Sequence, residues 1–327
     1  MKNTDNPKIK LQPDRILPRR LKKGSLIGLV TPGSPVTRKL LETTVKKLES
    51  LGFRVYFKDS VLDEYGFLAG KDTERAAELM HMFSNKKVDA IFCVRGGYGT
   101  IRILDLLDYE IIRQNPKALM GYSDITALHT ALFRKTGLVS FHSLMGESDF
   151  NDFAVNSFLD VLVNPKDNYR YPYLREKNTE TNPEFDRYTI HPGRAEGVLA
   201  GGNISVIDSL TGTEYEPDFE GKIAYLEEID EKTYRVDKML FHLLSATNLK
   251  KAAGIVLGVF KNCNVNEEPA LRLKQVLNDL LKPLGMPVSY GLPFGHIDRK
   301  ITIPFGIQAK MDANHNSLEL LERAVTG

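Results

Sequence analysis

Ala118-Leu119-Met120-Gly121-Tyr122-Ser123-Asp124-Ile125-Thr126 reads as the end of a buried strand running directly into a helix. The apolar run Ala118 to Met120 leads in, and a helix-like run from Thr126 to Arg134 leads out. A serine between such flanks is lifted out of the backbone at a strand-to-helix turn. Its hydroxyl is exposed there, and the following amides lie near a helix N-terminus, where negative charge is stabilised. Access and oxyanion donors are what a nucleophilic serine needs. The stretch is not G-x-S-x-G, because Ile125 stands at the last glycine position. Taken alone, it reads more simply as a helix N-cap at Ser123 with Asp124 in the first turn.

Working outward, the same texture repeats. Leu26 to Val30 predicts a buried strand stopped by Thr31-Pro32-Gly33-Ser34-Pro35. Arg38 to Leu51 predicts an amphipathic helix with Leu41, Val45 and Leu48 inward, ended by Gly52. Phe53 to Phe57 is a second strand. Asp72 is placed to cap a helix over Thr73 to Phe83. Val88 to Val94 is a third strand, followed by the turn Arg95-Gly96-Gly97-Tyr98-Gly99-Thr100. Leu138 to Phe141 is a fifth strand after Ala118 to Met120. Strands alternating with helices imply a mainly parallel sheet covered on both faces, an α/β fold. Ligands bind such sheets beyond the carboxyl ends of the strands. Thr31 to Pro35, Arg95 to Thr100 and Tyr122 to Asp124 therefore share one rim.

The chain divides into an extended or poorly ordered lead (1–20), an α/β domain (21–163), a linker (164–192) rich in Asn, Pro, Tyr and charge, and a second, smaller, strand-rich α/β domain (193–327). In the last, Val198 to Ala200, Ile223 to Leu226, Gly254 to Gly258 and Pro287 to Tyr290 predict strands. Tyr234 to Ala246 and Pro269 to Leu281 predict helices. Ile301 to Ile303 and Gly306 to Lys310 suggest a closing pair.

With 327 residues, 44 basic against 42 acidic side chains and a net charge of +2, nothing points to nucleic acid or an anionic membrane as a partner. No apolar run reaches transmembrane length, and Met1 to Arg20 lacks a signal-peptide core, which predicts a cytoplasmic location. Cys93 and Cys263 form no disulfide framework, and no His, Cys and carboxylate spacing predicts a metal; no cofactor is expected.

A serine nucleophile needs a base, and the base an orienting acid. Of the seven histidines, His296 stands apart in the loop Gly291-Leu292-Pro293-Phe294-Gly295-His296, which follows a strand. His81, His129 and His242 fall inside helical patterns and read as ordinary. Ile223-Ala224-Tyr225-Leu226-Glu227-Glu228 ends an apolar strand in two carboxylates, one on each face. A carboxylate there needs a partner, and an imidazole suits. Otherwise the pair is a solvated strand end. Gly96-Gly97 can turn backbone amides inward to form an anion nest.

Thr31-Pro32-Gly33-Ser34, the Arg95 to Gly99 turn, Gly121-Tyr122-Ser123-Asp124, Leu199-Ala200-Gly201-Gly202-Asn203, Leu226-Glu227 with Tyr234-Arg235-Val236-Asp237, and Gly295-His296 together resemble the LD-carboxypeptidase family of serine peptidases. The resemblance runs in order from about Leu26 to Gly306. It implies a Ser-Glu-His triad of Ser123, Glu227 and His296, an oxyanion hole of the Gly97 and Asp124 amides, and a homodimer. It also implies cytoplasmic cleavage of murein tetrapeptide between the L-centre of its diamino acid and the terminal D-alanine. Arg95, Gly96, Arg235 and the amides of Thr31 to Ser34 are candidates for substrate contact. One departure is Ser143-Leu144, where the family has Gly-Pro after Phe141-His142. A second branch of the family cleaves peptide–nucleotide antibiotics using a tryptophan to stack on the base. The chain has no Trp, which disfavours that branch.

Overall fold

The computed structural model describes residues 13–172, 183–264 and 271–327. The first part of the chain runs β1 (Leu26–Val30), α1 (Arg38–Ser50), β2 (Arg54–Tyr56), α2 (Asp72–Ser84), β3 (Ala90–Cys93), α3 (Tyr109–Gln114), β4 (Ala118–Gly121), α4 (Thr126–Thr136), β5 (Ser140–His142) and α5 (Asp152–Leu162). Strands β2, β1, β3, β4 and β5 lie side by side and all pair in parallel. Alternation along each strand feeds two cores. Ile27, Leu29, Ala90, Phe92, Ala118 and Met120 enter one, and Val30, Ile91, Cys93 and Leu119 enter the other. A one-residue slip would exchange these faces, so burial on both sides sets the register. Helix α5 was not legible as a helix in the sequence reading; Asn151 caps it, accepting from the Ala154 amide at 3.1 Å. Asp72 is not the cap of α2 but its first residue, because the Glu74 carboxylate accepts the Lys71 amide at 2.8 Å and so sets the cap one residue earlier.

The second part adds β6 (Tyr169–Arg170), β7 (Tyr188–His191), β8 (Arg194–Asn203), α6 (Ile204–Leu210), β9 (Ile223–Ile229), α7 (Thr233–Ala246), β10 (Gly254–Lys261), α8 (Leu273–Leu281), β11 (Val288–Tyr290), β12 (Ile303–Phe305), β13 (Gln308–Asp312) and β14 (Ser317–Leu320). Eight of these strands form one sheet in the order β6-β14-β13-β8-β9-β10-β11-β7, with β8, β9, β10 and β11 parallel. The predicted start of the last long helix at Pro269 lies outside the described residues. No described helix is long and apolar enough to cross a membrane.

Three expectations are corrected. The stretch read as a linker contains β6 and β7, which edge the second sheet because their carbonyls and amides find ladder partners there; its residues 173–182 lie outside the described ones. The lead is not loose where it is described. Ile16 bridges Gly137 and Val139, and Arg20 and Thr326 exchange backbone bonds with each other's neighbourhood; residues 1–12 lie outside the described ones. The expected closing pair does not form. β12 instead pairs antiparallel with β5, becoming the sixth strand of the first sheet, while β13 pairs with β8 and β14 in the second. Ile303 and Phe305 are buried against the first domain, where Phe305 packs on Phe133 at 5.3 Å between ring centroids. The chain thus returns to its first sheet just after His296 and interlocks the two domains.

Candidate active site

Because β1, β3 and β4 are adjacent and parallel, their carboxyl ends bring the three loops together. Ser123 follows β4 with φ of +64°, a left-handed conformation rare for a residue with a Cβ. Holding it costs about 1–3 kcal/mol, which the surrounding structure must offset. The strain projects Ser123 away from the strand just before α4, the geometry expected of a strand-to-helix elbow. The Gly96 turn lies directly against it: a Cβ on Gly96 would stand 3.1 Å from Ser123 Cβ and 3.3 Å from the Asp124 amide nitrogen. Gly97 has φ of +82°, and a Cβ there would overlap Ser34 Oγ. Among the described residues, no acceptor takes the amide of Gly97 or of Asp124. Two free donors therefore flank the serine.

Buried charge holds this backbone. The Asp124 carboxylate accepts from the Thr100 amide at 2.9 Å and from its hydroxyl at 2.5 Å, joining the elbow to the glycine turn. Burial pushes its pKa up, and the Thr100 bonds oppose that rise. Arg75, on α2, is fully buried and binds the carbonyls of Pro32 and Gly99 (2.9 Å to the latter), with Asp72 pairing its other nitrogen. One guanidinium thereby ties the Thr31 to Pro35 loop to the glycine turn. His129, neutral and with its pKa lowered by burial to about 4, bonds the Gly121 carbonyl at 2.9 Å and Ser140 Oγ at 2.8 Å.

The second sheet supplies the other half. Glu227 and Glu228 close β9 on opposite faces, and both are buried, not solvated. Glu228 is absorbed structurally by Asn203 Nδ2 (2.8 Å) and the Ser205 amide (2.8 Å). Glu227 Oε2 lies 2.8 Å from His296 Nδ1. Burial alone would raise the Glu227 pKa, but the His296 imidazole, helped by His142 and Asn203, outweighs it and holds the carboxyl below its ordinary value. The imidazole edge meets the Tyr122 ring with centroids 5.0 Å apart, so His296 sits against the residue that precedes Ser123. Thr126, at the start of α4, accepts no less a role in docking: its hydroxyl takes the Asn203 amide at 3.0 Å. Next to the pair, His142 is enclosed by Tyr122, Tyr225 and Phe294, and burial lowers its pKa to about 3. Ser143, the departure from the family pattern, uses its hydroxyl to meet Thr302 Oγ1 at 2.7 Å, fastening β5 to the segment that leads into β12.

The structure brings Ser123, Gly96, Gly97 and Asp124 together on one rim, and it pairs Glu227 with His296 against Tyr122, the residue before the serine. It does not leave all the substrate-contact candidates free. Thr31 is fully buried, its amide given to Glu78 (3.2 Å) and its hydroxyl to the Val61 carbonyl (3.1 Å). The Ser34 amide is given to the Gly96 carbonyl at 2.9 Å, and its hydroxyl accepts the Tyr98 amide at 3.1 Å. Arg95 binds the Pro35 carbonyl (2.9 Å) and pairs with Glu147 (3.1 Å). Arg235 pairs with Glu231 one helical turn away and is more than half exposed. The sequence reading missed Arg75, Asn203, His142 and Lys300. A signal existed for the first: Arg75 falls on the inward arc of α2 beside Ala76 and Leu79, where a charge must have a buried partner.

An elbow serine with free amides beside it, next in the chain to a tyrosine that contacts a buried carboxylate–imidazole pair, is the equipment of a serine-type hydrolase. The sequence models for the LD-carboxypeptidase N-terminal domain and the LD-carboxypeptidase C-terminal domain match residues 27–143 and 196–311. The chain belongs to the LD-carboxypeptidase family, and it is a serine-type carboxypeptidase hydrolase. It is 40% identical over 296 residues to a probable murein peptide carboxypeptidase of Bacillus subtilis, covering 90% of this chain and 91% of that protein. It is 28% identical over 298 residues to the murein tetrapeptide carboxypeptidase of Pseudomonas aeruginosa, covering 88% and 93%. The solved muramoyltetrapeptide carboxypeptidase of Oxalobacter formigenes superposes with a TM-score of 0.78 at 29% identity, covering 90% and 98%. The wild-type microcin C7 self immunity protein MccF superposes with a TM-score of 0.86 at 24% identity, covering 95% and 100%, a likeness of fold.

Proposed function

We propose that the protein removes the terminal D-alanine of murein tetrapeptide by acyl transfer to Ser123. The observation that carries this reading is the buried Glu227–His296 hydrogen bond packed on Tyr122, the residue before the strained Ser123. Because Nδ1 of His296 is engaged by Glu227, Nε2 is the nitrogen left to serve the serine. Ser123 Oγ attacks the carbonyl carbon of the diamino acid, and His296 takes the hydroxyl proton. The amides of Gly97 and Asp124 hold the oxyanion, each such donor being worth roughly 3–4 kcal/mol of barrier. Collapse breaks the C–N bond as His296 returns the proton to the leaving D-alanine nitrogen. Water, deprotonated by the same imidazole, then frees the acyl group. Glu227 keeps the imidazole in the productive tautomer and stabilises its charged form.

The names of the Bacillus and Pseudomonas relatives support the choice of a murein peptide over the antibiotic-cleaving branch. We place the reaction in cytoplasmic cell-wall recycling and in a homodimer, as the family resemblance implies; light scattering on the purified protein tests the latter. Mass spectrometry of murein tetrapeptide incubated with the protein and with Ser123→Ala tests the activity. D-alanine released only by the unaltered protein is the expected result. Cleavage of a peptidyl-adenylate analogue, with tetrapeptide left intact, would move the assignment to the other branch.

A further inference from the structure

A carboxypeptidase must recognise a free carboxylate, and the cations the sequence offered for it are exposed and already engaged. Arg95 and Arg235 are paired with Glu147 and Glu231, and the amides of Thr31 and Ser34 are spent within the loops. One cation has no such partner. Lys300 lies four residues beyond His296, on the same connection between β11 and β12, with 3% of its surface exposed. Its ammonium stands 3.9 Å from the centroid of the Tyr122 ring, the ring that His296 meets edge-on. Among the described residues it has no hydrogen-bond acceptor and no ion pair. A buried ammonium carries three donors, and a ring face satisfies them only in part. The nitrogen is not sealed off, so a ligand can reach the donors that the ring leaves unmet.

We propose that Lys300 is the anchor that binds the terminal carboxylate of the substrate and so makes the enzyme cut one residue from a free C-terminus. This inference rests on the carboxypeptidase reading above. The leaving amine must face His296 to receive its proton, and the carboxylate is attached to the same residue through a single carbon. Its binding group must therefore lie beside the imidazole, and Tyr122 holds both there. Burial lowers the lysine pKa to about 8, against the pull of Glu227 and Asp298, so the group is charged at neutral pH. A charge-assisted bond to carboxylate in a water-poor site is a strong selector against the neutral amide.

The test compares murein tetrapeptide with its C-terminal carboxamide. In the unaltered protein, kcat/KM favours the acid. Lys300→Met and Lys300→Gln are expected to lower the acid-over-amide ratio by about 10- to 100-fold, chiefly through KM of the acid. A lysine that only buttresses Tyr122 would slow both substrates in parallel and leave the ratio unchanged, which overturns the anchor while leaving the carboxypeptidase activity standing. Calorimetric binding of both peptides to Ser123→Ala, with and without Lys300→Met, separates the two failures. Acid-selective binding that depends on Lys300, without D-alanine release by the unaltered protein, sinks the activity and keeps the anchor. Equal binding of acid and amide to Ser123→Ala sinks the anchor.

Discussion

The serine side of the site and its acid–base side come from different sheets, and different physics holds each. Around Ser123 the working parts are backbone: a left-handed serine, two glycines and two free amides, fastened from behind by Asp124 and Arg75. Around His296 the working parts are side chains: a buried carboxylate and an imidazole 69 residues apart in sequence. Backbone arranged in this way tolerates little change of residue, since a Cβ at Gly97 overlaps Ser34 and one at Gly96 crowds Ser123. A side-chain pair can be cut back without disturbing the chain path. Changes at the glycines should therefore cost fold and function together, and cutting back a reacting side chain should cost function alone.

The largest expected effect falls on the side-chain half. His296→Ala and Glu227→Gln, like Ser123→Ala, should each reduce kcat by about 10⁴-fold or more while thermal unfolding stays cooperative. Steady-state D-alanine release with parallel calorimetry checks this, and near-normal turnover in His296→Ala would remove the triad. On the backbone half, Gly97→Ala should lower kcat by about 10²- to 10³-fold and lower the melting temperature as well, because the new methyl displaces Ser34 and turns an oxyanion donor. Unchanged stability with full activity would show that this turn is more compliant than its geometry. Arg75→Met should cost about 3 kcal/mol in denaturant unfolding, since the Pro32 and Gly99 carbonyls lose their shared donor and Asp72 loses its buried partner. Its activity should fall with the order of the glycine turn.

The smallest effect concerns pH. His129 and His142 are buried neutral, with pKa values lowered to about 4 and about 3 from an ordinary 6.5. Below pH 6.5 the unfolded chain binds protons that the folded chain refuses. Stability is thus full above 6.5 and declines as pH falls toward 4 for His129 and toward 3 for His142. The slope approaches about 1.4 kcal/mol per pH unit for each histidine. Denaturant unfolding at a series of pH values should show a shallower decline in His129→Gln, unless the decline belongs to carboxylates alone.

Much of the first sheet was legible because its strands are apolar on both faces and end in glycine or proline turns. Those signals are local, and they placed Ser123, Gly96 and Gly97 on one rim. Glu227 and His296 carried weak local signals, a strand-end carboxylate and a loop histidine, and it was the ordered set of short motifs that joined them to the serine. Asp72 was misplaced by one residue because a glutamate three positions after Lys71 sets that cap. β12 was misread because Ile301 to Ile303 and Gly306 to Lys310 look like neighbours, and no local pattern says that Ile303 and Phe305 are to be buried in the other sheet. Lys300 resembles a surface residue until its surroundings are known.

By itself the sequence determined the α/β class and the rim that the Ser123 turn shares with the glycine turn, since periodicity and turn chemistry act over a few residues. Only the tertiary structure decided which cations are already paired, which amides remain free, and that the chain crosses back to its first sheet beyond His296. Those outcomes depend on burial and on partners far away in sequence. The cost of an unpaired buried charge is set by everything that surrounds it.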